Sequence, residues 1–201
     1  MVTPPSVGAP HREVPGSGRV LTMSTIAFTL MFAVWLMFGI LGVPIQKEFG
    51  LSNTQLAWIT SLAVLNGAMW RLPAGMIADR IGGKKVMLYL LLTGAVAAAA
   101  VAFASSYPML LVLAFLVGFV GNSFSVGVSW NSAWYSDRHK GFALGVFGAG
   151  NVGASVTKFI GPAIIAGTAG ATYFGVIQGG WRLVPVIYSV LLVITAVAVL
   201  V

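Results

Sequence analysis

Cysteine is absent from the 201 residues, so there is no disulfide framework, no thiolate metal site and no cysteine nucleophile. Acid is almost absent: Glu13, Glu48, Asp79 and Asp137 are the whole supply. Only two histidines occur, His11 and His139, and both fall outside the long apolar runs, which excludes a buried histidine metal site. Charged residues of both signs make up 7% of the chain, against roughly a quarter in a soluble domain. With a mean hydropathy of +0.96, this scarcity excludes a soluble enzyme, a disordered tail and a coiled coil. No cofactor and no metal are implied.

What the sequence has in excess is apolar length. A bilayer-spanning helix needs about 20 mainly apolar residues. Six such runs occur, at 20–45, 56–78, 86–104, 108–134, 141–167 and 183–201. The expected fold is therefore all-α: a polytopic membrane protein with a six-helix transmembrane bundle over 20–201. Residues 1–19 hold Pro4, Pro5, Pro10 and Pro15 and read as a disordered tail. The first run is too long for a signal-peptide core and is expected to remain as a span. The last run covers about 29 Å at 1.5 Å per residue, barely a bilayer core, and ends without a basic anchor, so more chain is expected to follow.

The net charge of +7 would suggest nucleic acid in a soluble protein. Here the basic residues lie in short loops between apolar runs and form no stripe, so no nucleic-acid partner is expected. Arg12, Arg19, Arg80, Lys84, Lys85, Arg138 and Lys140 fall in the tail, loop 2–3 and loop 4–5, and only Lys47 and Arg182 fall in loops 1–2 and 5–6. Cytoplasmic loops gather Lys and Arg, so both termini are expected in the cytoplasm, with the bundle in the inner (plasma) membrane.

Two cations remain inside the runs: Arg71 in span 2 and Lys158 in span 5. No carboxylate lies inside a run to pair with them. Each costs about 2.5–3.5 kcal/mol near mid-helix, so something must offset the charge. Snorkelling, or acids outside this sequence, would do so; a cavity for an anionic substrate would do so with a function. Span 5 is rich in glycine, and Gly141, Gly145, Ala149 and Gly153 recur every four residues, a stripe suited to close helix packing. Asn151 and Lys158 are seven apart and share another face, near Phe147, Gly148 and Ala154. Gly148, Gly150 and Gly153 also spell a dinucleotide fingerprint, but that motif needs a preceding strand, and none is expected inside this helical run.

Loop 2–3 holds Gly75, Asp79, Arg80, Gly82, Lys84 and Lys85 in the spacing G-x-x-x-D-R-x-G-x-K-K. This resembles the signature between helices 2 and 3 of the major facilitator superfamily. Glycines there allow a tight turn, and the acid–base set can form switchable ion pairs and helix caps. Within that superfamily the chain resembles the nitrate/nitrite porters, over spans 1 to 6, their N-terminal half. Ala68 to Pro73 is similar to the segment that bears the family's substrate-binding arginine, here Arg71. Ala143 to Gly153 resembles its glycine-rich signature, with Gly148, Gly150 and Asn151. Gly121 to Phe124 resembles the stretch whose aromatic, here Phe124, stacks on the anion, and Phe32 resembles the matching aromatic of span 1. Lys158 resembles a lysine of the proton-symport branch. Some members have lost the loop 2–3 signature, whereas here it is complete.

The resemblance implies membrane transport of nitrate and/or nitrite by alternating access, coupled to protons, with this chain supplying half of the site. The partners it implies are a small inorganic anion, protons, the lipid bilayer, and either a C-terminal half or a second six-helix chain. The chemistry agrees. Nitrate is planar, and a guanidinium fork grips two oxygens in a way that lysine cannot. Two other readings remain open: a six-helix membrane subunit without transport activity, and a facilitator for sugars, drugs or another small anion.

Overall fold

Proline or glycine stands at or beside three of the four breaks in the apolar runs. Pro73 has no N–H for the Met69 carbonyl and its ring crowds that carbonyl, so the second pass splits at Trp70 into α3 (Asn53–Met69) and α4 (Arg71–Ile81). In the fifth pass, α8 (Lys140–Gly148) and α9 (Gly153–Gly167) are separated by a 3-10 turn over Ala149–Val152, inside the glycine cluster. The fourth pass breaks likewise, with a 3-10 turn over Phe119–Asn122 between α6 (Tyr107–Gly118) and α7 (Ser123–Trp134). The first pass turns at Leu36 and Met37, between α1 (Ser17–Trp35) and α2 (Phe38–Phe49). Only α5 (Gly83–Val101) and α10 (Leu183–Leu200) are unbroken passes.

The computed structural model describes residues 14–173 and 175–201. Most of the tail expected at 1–19, with Arg12 and His11, lies outside the described residues. Its last part is helical instead: α1 starts at Ser17, and the Val14 N–H donates to the Trp134 carbonyl at 3.0 Å. Four helical stretches among the described residues are long and apolar enough to cross a membrane: Ser17–Phe49, Gly83–Val101, Tyr107–Trp134 and Gly180–Leu200. The second and fifth passes, at 53–81 and 140–167, are helical over similar lengths but interrupted.

The unbroken helices α5 and α10 pack on each other, and α1 lies at the centre, against α7, α8, α9 and α10. Ser52 caps α3 in a reciprocal box, accepting from the Gln55 N–H at 3.2 Å while its own N–H reaches the Gln55 side chain at 2.9 Å. Loop 5–6 carries a two-residue antiparallel hairpin, β1 (Thr172–Tyr173) and β2 (Ile177–Gln178). Thr157 on α9 and Tyr188 on α10 share a hydrogen bond of 2.5 Å.

The glycine stripe of span 5 is not the expected one. Gly141 and Gly145 face open space, whereas Gly150 sits under Phe28, Gly153 under Thr29 and Gly161 beside Ile40. The face packed on the first pass is therefore Gly150, Gly153, Thr157 and Gly161. The 3-10 turn winds with about 3.0 residues per turn, so a 3.6-residue period cannot be carried across Ala149–Val152.

Candidate functional site

The first, second and fourth passes meet at Arg71, and the fifth reaches the adjoining rings through Phe147. It is the first residue of α4, directly after the break at Trp70. The guanidinium carbon lies 5.7 Å from the ring centre of Trp35 and 5.7 Å from that of Phe124. Each contact of this kind offsets about 0.5–2 kcal/mol of the cost of placing a cation away from bulk water. Its Nε is buried and has no hydrogen-bond partner. No carboxylate among the described residues forms an ion pair with Arg71; the ion pairs seen there are Lys140 with Asp137 and Arg182 with Glu48. The site is thus a cation walled by two rings, with an unpaired donor.

The aromatic wall is continuous. Phe124 packs on Phe28 and Phe147, at 5.6 and 5.9 Å between ring centres, and Phe28 stacks on Phe147 at 4.8 Å. Phe32 touches Phe28 at 5.5 Å and meets the Trp35 ring edge-on at 5.6 Å. The two candidate aromatics, Phe32 and Phe124, are both half-buried and are bridged by the buried Phe28. A flat anion with delocalised charge fits such a place: rings cover its faces, and a forked cation meets its edge.

The remaining candidates are spread around this centre. Gly150 is buried, and a Cβ there would lie 2.5 Å from the Phe28 ring, so it brings the fifth pass against the aromatic wall. Gly148 is half-buried and open, and its carbonyl accepts from the Asn151 amide at 2.8 Å. Asn151 is exposed at the 3-10 turn. Lys158 is not brought to Arg71. It is exposed on α9, which packs on α1, α2 and α10, whereas α4 packs on α5 and α7.

The loop 2–3 residues lie at the far end of α4. Asp79 accepts a hydrogen bond from the Ser129 hydroxyl on α7, and Lys84 donates to the Leu200 carbonyl at 2.9 Å. Gly82 makes the turn with φ of +96°, a conformation that disfavours other residues. Gly75 packs on Ser125, and Arg80 and Lys85 are exposed. The loop therefore joins the second, third, fourth and sixth passes at one end.

Sequence reasoning passed over Trp35, which looked like one more apolar residue of the first pass. Its slot is the gap left by Gly67 and Gly121 on neighbouring passes, which only the packing shows. It also passed over a second polar cluster at the opposite end. Trp181 donates to Glu48 at 2.6 Å, Arg182 pairs with Glu48, and Arg182 also donates to the Ala102 and Ala104 carbonyls at 2.8 and 2.9 Å.

Comparison with known proteins follows this geometry. The family model described as Major Facilitator Superfamily matches residues 23–201. A probable nitrate/nitrite antiporter of Thermus thermophilus is 62% identical over 185 residues, which is 92% of this chain and 42% of that protein. A nitrate/nitrite transporter of Nostoc punctiforme is 32% identical over 169 residues, covering 82% of this chain and 33% of that protein. Among solved structures, a bacterial homologue of the human lysosomal transporter Spinster, inward-facing and unoccupied, matches with a TM-score of 0.81. It shares 21% identity and covers 92% of this chain and 43% of that one, a likeness of fold alone. The chain spans less than half the length of the curated relatives it matches.

Proposed function

The chain belongs to the Major Facilitator Superfamily, and from that premise we propose that it supplies the N-terminal half of a nitrate/nitrite transporter. In this reading Arg71 grips the anion between Trp35 and Phe124, in the inner (plasma) membrane with both termini cytoplasmic. The observation that carries it is the Arg71 guanidinium, held at 5.7 Å from two aromatic rings with a buried, unpartnered Nε. An unmet donor in a low-dielectric place costs about 1–3 kcal/mol, and a bound oxyanion would remove that cost. The relatives named as nitrate/nitrite transporters support the choice of anion.

Helix breaks near the bilayer midplane mark binding sites in secondary transporters, because irregular backbone is tolerated only against protein or water. Here three broken passes, the first, second and fourth, supply Trp35, Arg71 and Phe124. A second six-helix unit would cover exposed apolar residues of the kind of Leu72, Phe142 and Phe159, which are 74%, 71% and 82% exposed. Loop 2–3 would then lock or release that unit through Gly75, Asp79, Arg80, Gly82, Lys84 and Lys85. Gly148, Gly150 and Asn151 would contribute backbone and amide donors from the fifth pass, and Phe32 would extend the ring wall.

Two couplings compete. Proton-coupled uptake rests on Lys158, a cation inside a span that resembles a lysine of the proton-symport branch. Nitrate/nitrite exchange is favoured by the name of the Thermus thermophilus relative, an antiporter. The test of the anion site is nitrate uptake by the full-length protein in proteoliposomes. Arg71→Lys keeps the charge and loses the two-oxygen fork, so transport is expected to collapse while insertion is normal. Normal nitrate transport by that variant would sink the assignment.

A further inference from the structure

We infer that Trp35 is the positioning residue of Arg71: its indole is keyed into the second and fourth passes so that its face fixes one side of the guanidinium. The inference rests on the anion-site reading and gives one of its two walls a further task, that of orienting the arginine.

Three separate contacts key the ring. Its Nε1 donates to the Ala63 carbonyl at 2.9 Å, a bond from the first pass to the second. A Cβ at Gly67 would lie 2.7 Å from the ring, and one at Gly121 would lie 2.6 Å from it. The ring therefore fills a slot that only two glycines leave open, one on the second pass and one on the fourth. Phe32 closes its edge at 5.6 Å. The residue is 9% exposed, and the surface left free of these neighbours includes the side over Arg71.

The two walls of the site are held by different means. Phe124 is backed by other rings, Phe28 and Phe147, which tolerate small shifts. Trp35 is backed by a directional hydrogen bond and two glycine notches, which do not. It also ends α1, lies against Gly67 just before the break at Trp70, and lies against Gly121 inside the 3-10 turn of the fourth pass. One ring thus ties three broken passes together at the arginine. A ring so placed sets the direction of the fork, which matters because two-oxygen recognition of a planar anion depends on angle.

The test uses the full-length protein in proteoliposomes, with nitrate as the probe and KM separated from maximal rate. Trp35→Leu removes the ring and is expected to raise KM for nitrate about tenfold, the size of one cation–π contact. Trp35→Phe keeps a ring but loses the bond to Ala63, and is expected to raise KM about threefold. In both, maximal rate per inserted molecule should fall less than KM rises. A packing role alone would reduce the amount inserted or the maximal rate with KM unchanged, and that result overturns the inference. If Trp35→Leu does not insert, Trp35→Phe decides alone: parental KM in that variant overturns it. A parent protein that takes up no nitrate would instead overturn the anion-site reading, so the two failures are distinct.

Discussion

Gly153 lies so close beneath Thr29 that a methyl group on it would overlap the Thr29 carbonyl oxygen. The fifth pass touches the first there with backbone against backbone. Such an approach multiplies weak dispersion contacts, the main source of helix association where lipid is as apolar as the side chains. Gly145, two turns earlier, faces open space. Gly153→Ala should therefore destabilise the protein by about 1–3 kcal/mol through overpacking, and Gly145→Ala should leave it within about 0.5 kcal/mol. Thermal melting of the two variants in detergent checks this; equal melting points would contradict the packing described.

How much of this was legible beforehand depends on the residue. Arg71 and Phe124 stood out, one as a cation without an acid and the other inside a quoted motif, and the structure brings them together at 5.7 Å. The break at Trp70 follows from Pro73, which is readable from sequence. The packed glycines were not readable, because the four-residue pattern from Gly141 crosses a 3-10 turn that changes the register. Trp35 was hidden for another reason: in an apolar run, an indole that shapes a site and one that only fills space have the same neighbours in sequence. Long-range contacts such as the Trp181 bond to Glu48 join residues 133 apart and leave no local pattern.

Glu48 is the hub of the cluster at the end opposite loop 2–3, with the indole of Trp181 and the guanidinium of Arg182 both donating to it. Glu48→Gln removes the charge and leaves Arg182 without its acid. Hydrogen bonds to charged groups contribute about 1.5–3 kcal/mol, reduced here because the Glu48 side chain is 40% exposed. A loss of roughly 1 kcal/mol is expected, seen as a melting point lowered by a few degrees. Nitrate KM should stay parental, because Arg71 lies elsewhere. A shift in KM with unchanged melting would contradict the assignment of this cluster to structure.

Orientation can be read with one thiol, since the chain has no cysteine. Lys85 is exposed in loop 2–3, whereas a side chain at Gly83 would overlap Trp130. Lys85→Cys should resist impermeant thiol reagents in intact cells and react after permeabilisation, as the bias of Lys and Arg toward this loop requires. Ready labelling from outside would reverse the topology.

The last prediction concerns what drives accumulation. The described acids stand at helix ends or in loops: Glu48 engaged with Trp181 and Arg182, Asp79 with Ser129, Asp137 with Lys140. The usual proton carriers of transporters, Asp, Glu and His inside the spans, are therefore lacking along the described middle of the passes. Lys158 is the other cation inside a span besides Arg71, and it resembles a lysine of the proton-symport branch. In the proton-coupled reading, anion and proton cross as a neutral pair, which lets nitrate be concentrated against an inside-negative potential. Lys158 is exposed on α9, away from the groups that pack around Arg71, so its part in coupling is separable from the clamp. Lys158→Gln should abolish nitrate accumulation driven by a pH gradient while leaving nitrate binding and nitrate/nitrite counterflow close to parental. Pure exchange predicts otherwise: the parent itself would show no pH-driven accumulation, and counterflow would be indifferent to proton gradients. If the variant concentrates nitrate under a proton gradient as well as the parent does, Lys158 does not carry the coupling proton.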